Sequence, residues 1–79
     1  MKLSIYSLKK VLFEGEAELL TCNTEIGVIT ILNNHQALIS MLARGTARVV
    51  DSNKKEHFFE VNSGFLEVKK GNKVRCLVD

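Results

Sequence analysis

The 79-residue chain has no proline and no tryptophan, and aromatic residues make up only 6% of it. No apolar run approaches the roughly 20 residues that a membrane-spanning helix needs, and residues 1–7 lack the apolar core of a signal peptide. Eleven basic and nine acidic residues are scattered along the chain and give a net charge of +2, so no long-range field attracts nucleic acid. We therefore expect a protein that stays in the cytoplasm.

Residues that carry chemistry are also scarce. Cys22 and Cys76 are the only cysteines, and without a secretion signal we expect them to be reduced and buried rather than disulfide-bonded. His35 and His57 share no metal-ligand spacing with them, and no glycine-rich phosphate loop is present. We expect no catalytic residue, no metal site and no cofactor, and hence a protein that is not an enzyme.

The length and composition indicate one folded unit. Hydrophobic residues make up 46% of the chain and charged residues 25%, which is the balance of a globular domain rather than of a disordered segment. A chain of 79 residues is long enough for one hydrophobic core and too short for two. We predict a single domain over residues 1–79.

Five glycines divide the chain at intervals too short for a series of helices, and apolar and polar residues alternate between them. The predicted strand segments are Lys2–Ser7, Val11–Glu14, Glu16–Cys22, Gly27–Leu32, Thr46–Val50, Phe58–Val61, Phe65–Val68 and Val74–Val78. The segment Gln36–Ala43 fits a strand or a single helical turn equally well. The pattern predicts an all-β fold, a two-sheet β-sandwich or flattened barrel of about eight to ten short, mostly antiparallel strands.

Three surface patterns allow more than one interpretation. The segment Thr24–Leu42 is either a docking surface or a turn in which His35 bonds a backbone carbonyl. The alternating Glu14, Glu16 and Glu18 are best explained as a solvated face, since like charges repel. Lysines near phenylalanines leave a second function open, a stand-alone module that binds single-stranded nucleic acid, although such lysines usually lie in turns and such phenylalanines in cores.

Three stretches in the right order resemble the N-terminal β-sandwich domain of the epsilon subunit of F-type ATP synthases. They read LSIYSLKKVLFEGE from residue 3, GVITILNNHQALISML from residue 27 and SGFLEVKKGNKVRCLVD from residue 63. Together they extend over essentially the whole chain. The resemblance implies a ten-stranded β-sandwich in the central stalk of the rotor, at the cytoplasmic face of the bacterial inner membrane.

The resemblance also implies partners and sites. The domain would bind the gamma subunit and the c-ring and couple proton flow to ATP synthesis, without forming an obligate homo-oligomer. The implied c-ring residues are Glu25, Ile26, Gly27 and Val28. The implied gamma-facing residues are His35, Leu38 and Ser40, and Asn33 and Asn34 shape the loop before them.

This sequence departs from the family pattern at several of these positions. Asn33 and Ala37 replace prolines, Asn34 replaces a glycine, and Val28 stands where many members carry an acid, for which Glu25 is a substitute. Family members commonly continue into a C-terminal helical hairpin that inhibits ATP hydrolysis, and these 79 residues do not encode one. We therefore expect a chain that lacks this inhibition.

Overall fold

The computed structural model describes all 79 residues and contains strands and turns but no helix. No segment of the chain could therefore cross a membrane as a helix. The all-β prediction is confirmed. The eight strands are β1 Lys2–Tyr6, β2 Val11–Thr24, β3 Gly27–Leu32, β4 Leu38–Leu42, β5 Gly45–Asp51, β6 Glu56–Val61, β7 Gly64–Lys69 and β8 Lys73–Val78.

The strands form two layers that share β2. The first layer contains β4, β7, β8 and β1 in that order, with the first half of β2 beside β1. The second layer has the second half of β2 between β3 and β5, with β6 outside β5. Thr24 at the end of β2 pairs with Leu42 of β4, so the two layers are also joined at this edge and together form a flattened barrel. Every pairing is antiparallel except that of β1 with β8.

Two segments predicted as separate strands are joined in β2. Gly15 lies between them, but it pairs with Leu3 and the strand continues for 14 residues. The register shifts between Ala17 and Leu19, where β2 passes from one layer to the other. The structure has eight strands, whereas the family resemblance implies ten.

The undecided segment Gln36–Ala43 forms strand β4 and not a helical turn. Its five residues pair along their whole length with β7, from Leu38 opposite Val68 to Leu42 opposite Gly64. These backbone hydrogen bonds outweigh the helix-like spacing of a few apolar side chains, because a segment of this length makes few hydrogen bonds as an isolated helix.

The buried side chains form one hydrophobic cluster of 16 residues between the layers. Alternate residues of each strand point into it, as the period of two requires. Its largest fully buried members are Leu3, Ile5, Leu20, Ile31, Leu66 and Val49. This close-packed interior makes the body stiff and fixes the positions of the turns at its two ends.

Candidate docking surfaces

The turn between β2 and β3 holds the four residues that the resemblance implies for the c-ring. Thr24 and Gly27 pair across the hairpin, and the hydroxyl of Thr24 donates a 2.7 Å hydrogen bond to the carbonyl of Gly27. The same hydroxyl accepts a 3.3 Å bond from the amide of Ile26. Gly27 has φ of 120°, a conformation that residues with a side chain rarely adopt, which explains glycine at this position.

This turn displays apolar side chains to solvent. Ile26 is 87% exposed and Val28 is 67% exposed, while Glu25 is exposed and forms no ion pair. The amide of Glu25 donates a 3.2 Å hydrogen bond to the carbonyl of Met41, which anchors the turn to the end of β4. A fixed turn with exposed apolar groups and one free carboxylate is suited to contact another protein.

Asparagines organise the loop between β3 and β4 at the opposite end of the body. The amide of His35 donates a 3.2 Å bond to the carbonyl of Leu32, which closes a turn with Asn34 at φ 61°. The amide of Asn34 donates to the Asn72 side chain at 2.7 Å, and Asn72 donates to Asn33 Oδ1 at 3.3 Å. Asparagine tolerates the left-handed conformation, so Asn34 can replace the glycine of the family pattern.

Asn33 has a second partner. Its side-chain oxygen also accepts a hydrogen bond from the amino group of Met1, and this amino group donates a further 2.8 Å bond to the carbonyl of Ala17. The loop is thus tied to β1, β2 and the β7–β8 hairpin, although the proline of the family pattern is missing.

His35 is half-buried, and its ring bonds a backbone carbonyl. This is the contact expected if the segment Thr24–Leu42 serves as a turn. Nδ1 lies 2.7 Å from the carbonyl oxygen of Gln36, and since a carbonyl only accepts, Nδ1 carries the proton. Nε2 has no hydrogen-bond partner within the chain. The structural role of His35 in the turn is therefore present. It does not exclude a role in docking, because the hydrogen bond orients the ring while part of the ring stays exposed.

The other two gamma-facing residues of the prediction point inward. Leu38 packs against the core, and Ser40 lies on the same inner side of β4, half-buried. The outward residues of this strand are Ile39, which is 74% exposed, and Met41, which is 54% exposed. The sequence prediction did not separate the two faces because it treated residues 36–43 as one stretch, whereas strand alternation separates them once β4 is recognised.

The structure places the c-ring turn and the Asn33–His35 loop far apart, while β4 runs back towards the turn and brings Ser40 next to Met41, whose carbonyl accepts the bond from Glu25. The c-ring turn precedes Gly27 at one end of β3, and the Asn33–His35 loop follows Leu32 at the other. Five residue steps at about 3.3 Å separate the ends of this strand by roughly 17 Å. The turn and the loop therefore lie at opposite ends of the body, and β4 extends between them.

The remaining chemistry-bearing residues do not assemble into a site. No group of three or more histidine, cysteine or acidic side chains is placed to hold a metal ion. Cys22 and Cys76 are both buried and unpaired. Burial raises the pKa of the Cys22 thiol to about 11 and that of Cys76 to about 12, where the nearby Cys22 adds to the effect. Neither thiol is an activated nucleophile.

The residues behind the nucleic-acid alternative do not form one platform. Of the phenylalanines involved, Phe59 is partly buried against the core, where it packs edge to face on Phe13 with ring centroids 6.5 Å apart. Phe58 and Phe65 belong to different layers. Stacking of successive bases requires aromatic rings on a single face, so the arrangement gives this alternative no support.

Comparison with known proteins agrees with the fold. The family model of the β-sandwich domain of the ATP synthase delta/epsilon chain matches residues 1–79. The ATP synthase epsilon chain of Clostridium novyi is 39% identical over 67 residues, which is 85% of this chain and 51% of the relative. The chain spans about half the length of this relative and of several others named as epsilon chains.

Solved structures have the same fold. A chain of the Euglena gracilis mitochondrial ATP synthase, solved with OSCP, F1 and the c-ring, superposes with a TM-score of 0.91 at 20% identity, over 99% of this chain and 49% of that one. A chain from the central stalk and c-ring of the Tetrahymena thermophila mitochondrial ATP synthase gives 0.83 at 17% identity, over 99% and 62%. With the full-length family match, these findings show that the chain belongs to the family of ATP synthase delta/epsilon-chain β-sandwich domains.

Proposed function

We propose that this chain is a non-catalytic subunit of the central stalk of an F-type ATP synthase, which binds the gamma subunit and the c-ring and couples proton translocation to ATP synthesis. It works at the cytoplasmic face of the bacterial inner membrane, held there through the complex. The observation that carries the proposal is the fixed, exposed apolar turn Glu25–Val28 on a domain of the epsilon family.

The geometry supports two partners at once. The c-ring contacts the Glu25–Val28 turn at one end of β3, and gamma contacts the His35 loop and the outward side of β4, including Ile39. A closed β-body with a close-packed core between these surfaces transmits force with little deformation. The core is also small for the chain's surface, so docking to larger partners stabilises it.

The gamma contact is tested by calorimetric titration of the purified chain with the gamma subunit of the same organism. We expect a complex that His35→Asp and Ile39→Asp each weaken by about tenfold or more, since each places a charge in an apolar contact. Phe58→Asp is the matched control, because Phe58 is 61% exposed on the other layer and should leave the affinity unchanged. Equal binding by all variants would remove the gamma contact from the proposal.

The c-ring contact needs a separate titration against a preformed complex of gamma with the c-ring. Ile26→Asp and Val28→Asp should weaken binding to that complex and leave binding to isolated gamma unchanged, because the turn lies away from the His35 loop. The assignment of the turn would be contradicted if these variants lost affinity for isolated gamma, or if they bound the complex of gamma with the c-ring as tightly as the unsubstituted chain does.

A further inference from the structure

The second layer has two outer strands, β3 and β6, and each pairs with only one neighbour. β3 pairs with β2, and β6 pairs with β5. The free side of such an edge strand presents backbone groups that no neighbouring strand bonds, and natural proteins usually protect it with charged side chains, proline or a bulge. β3 and β6 differ in this protection.

The hairpin of β2 and β3 decides which backbone groups of β3 face the free side. Residues that flank a two-residue turn form a hydrogen-bonded pair, and hydrogen-bonded and non-hydrogen-bonded pairs then alternate along the two strands. Val28, Thr30 and Leu32 take the non-hydrogen-bonded positions, so their amides and carbonyls point away from β2. The hydroxyls of Thr21 and Thr30 lie 3.2 Å apart, which fits the closer side chains of a non-hydrogen-bonded pair.

These outward backbone groups are almost all without a partner. Outside the strand ladders, the only backbone hydrogen bond to them runs from the amide of His35 to the carbonyl of Leu32. The three amides and the carbonyls of Val28 and Thr30 remain free. Unbonded amides and carbonyls in a row are what an added strand requires.

β3 carries none of the usual protection of an edge. Gly27–Leu32 contains no charged residue and no proline, and its pairing with β2 shows no register shift. Val28 is 67% exposed, Leu32 is 54% exposed, and Thr30 between them is also exposed. An uncharged edge with apolar side chains in solvent is a site at which another strand pairs.

β6 provides the contrast. The amide of Asp51 donates to the carbonyl of Lys55 at 2.9 Å, and by the same alternation the outward backbone groups of β6 are those of Glu56, Phe58 and Glu60. Both glutamates are exposed, and their charge hinders pairing at this edge. Protection of one edge and not of the other indicates that β3 is the edge that a partner uses.

We infer that the free edge of β3 binds an extended segment of a partner protein, which adds a strand to the second layer. Main-chain hydrogen bonds to Val28, Thr30 and Leu32 hold the segment, and β-branched side chains opposite these residues cover them. Five extended residues span the roughly 13 Å between Val28 and Leu32. The segment runs antiparallel to β3, because antiparallel pairing is the more stable arrangement.

The two ends of the edge select the occupant by their hydrogen-bonding character. The carboxylate of Glu25 lies in the turn before β3 and forms no ion pair, and Nε2 of the neutral His35 ring lies in the loop after it. Both groups are acceptors. The segment therefore carries a lysine or arginine beside Glu25 and a donor such as serine or asparagine beside His35.

A second copy of this chain fits the edge less well than such a segment. Antiparallel pairing of two β3 strands would bring Glu25 of each copy towards His35 of the other, and acceptor would meet acceptor at both ends. Neither group would gain a hydrogen bond. A partner with donors at its two ends satisfies both.

The inference goes beyond the proposed function, because the segment is defined by its chemistry and not by the chain that supplies it. The edge lies between the turn proposed for the c-ring and the loop proposed for gamma. The test therefore uses synthetic peptides and neither gamma nor the c-ring, so that the two proposals can fail separately.

The probes are extended peptides of about nine residues with alternating threonine and valine, a serine near the amino end and a lysine near the carboxyl end. In the antiparallel arrangement this lysine meets Glu25. Two further versions carry N-methyl groups on alternate amides, one version on each of the two sets. Titration of the intact 79-residue chain, followed by nuclear magnetic resonance, should show that one methylated version binds about tenfold more weakly than the other, because only one set of amides faces β3.

Amide hydrogen exchange then locates the contact in the chain. At a peptide concentration about ten times Kd, exchange at Val28, Thr30 and Leu32 should slow by about tenfold, since a bonded amide exchanges only from the free chain. The amide of Phe58 on the β6 edge is the matched control and should exchange at an unchanged rate.

Variants provide an independent check of the same edge. Thr30→Pro removes an outward amide and no bond to β2, and it should weaken the peptide by about tenfold, whereas Phe58→Pro on the β6 edge should not. Glu25→Lys should reverse the preference for the lysine peptide over a version with glutamate in its place, a result that a folding defect cannot produce. Far-ultraviolet circular dichroism confirms that each variant is folded.

Several outcomes would overturn the inference: no binding of the unmodified peptide, equal affinities of the two methylated versions, or slowed exchange at Phe58 instead of Thr30. Slowed exchange at Val28, Thr30 and Leu32 as the concentration of the free chain rises, with no peptide present, would replace the partner with a second copy. If gamma binds and the peptide does not, this inference fails alone. If the peptide binds and gamma does not, the proposed gamma contact fails alone.

Discussion

At the scale of single residues, the hydrogen bonds of the Asp51 carboxylate make the turn between β5 and β6 sensitive to pH. One carboxylate oxygen accepts backbone hydrogen bonds from Asn53 at 2.8 Å and Lys55 at 3.0 Å, and the other lies 2.8 Å from Nε2 of His57. The bond from His57, followed by that from the Lys55 amide, lowers the pKa of Asp51 below its usual value. The turn that joins β5 and β6 therefore depends on the ionised form of this side chain.

Replacing Asp51 by asparagine should reveal this dependence. A lowered pKa in the folded state means that the ionised carboxylate stabilises the fold above its unfolded pKa of about 3.9, and that this contribution is lost as the pH falls through the lower folded value. In urea unfolding followed between about pH 6 and pH 2, the wild type should exceed Asp51→Asn in stability near neutrality, and the difference should shrink in acid. A difference that is constant with pH would contradict the account.

Gly64 shows a second residue-scale constraint, the close approach of two backbones. It pairs with Val78 at φ 147°, and a Cβ atom built on it would collide with the carbonyl oxygen of Leu77. Gly15 has a similar φ of 155° with no atom within 4 Å of its added Cβ. A comparison of substitutions at Gly64 and Gly15 therefore separates the effect of a steric collision from the effect of the φ angle.

We expect Gly64→Ala to destabilise the fold by about 2 kcal/mol more than Gly15→Ala, because the collision must be relieved by moving a strand. Chemical unfolding of both variants against the wild type measures the difference. Equal losses would show that φ alone, and not the Leu77 carbonyl, requires glycine at position 64.

At the scale of elements, β4 illustrates what the sequence could and could not predict. The two-residue alternation predicted most strands correctly, including Gly27–Leu32, because each half-buried strand leaves its own local pattern. The segment around Leu38 stayed undecided since its partner strand, β7, pairs with it at separations of 22 to 30 residues along the chain and no local signal reports the pairing. Without the strand assignment, the inward Leu38 and the outward Ile39 could not be told apart.

The same limit applies to the surfaces. Residue types suggested a docking segment between Thr24 and Leu42. They could not show that Tyr6 of β1 and Met41 of β4 lie on one outer face, because only the register of β8 and β7 between them brings this about. Likewise, the sequence predicted two segments that form the single strand β2. They are continuous because Gly15 pairs with Leu3 of β1, and this tertiary contact leaves no local pattern in the sequence.

The two faces of β4 should respond differently to a charge. Leu38→Asp places a carboxylate against the core and should cost about 2–4 kcal/mol of unfolding free energy, whereas Ile39→Asp on the solvent side should change it by about 0.5 kcal/mol or less. Denaturant unfolding of both variants provides the measurement. If Ile39→Asp destabilised the fold as much as Leu38→Asp, the assignment of the two faces would be wrong.

At the scale of the whole molecule, one core holds two surfaces apart. The two layers share β2, so a load applied at the Glu25–Val28 turn reaches the His35 loop through β3 and through the packed interior. The chain needs no reactive group for this task. Both cysteines are buried, and each histidine ring forms a hydrogen bond within the chain.

The central claim is that this body couples rotor parts and performs no chemistry itself. The most direct measurement is ATP-driven proton pumping per ATP hydrolysed, in vesicles that hold the synthase of the same organism assembled with or without this chain. The account predicts that adding the chain raises this ratio and that the combined variant Ile26→Asp/His35→Asp does not. A ratio that is the same with the chain, without it and with the variant would contradict the account.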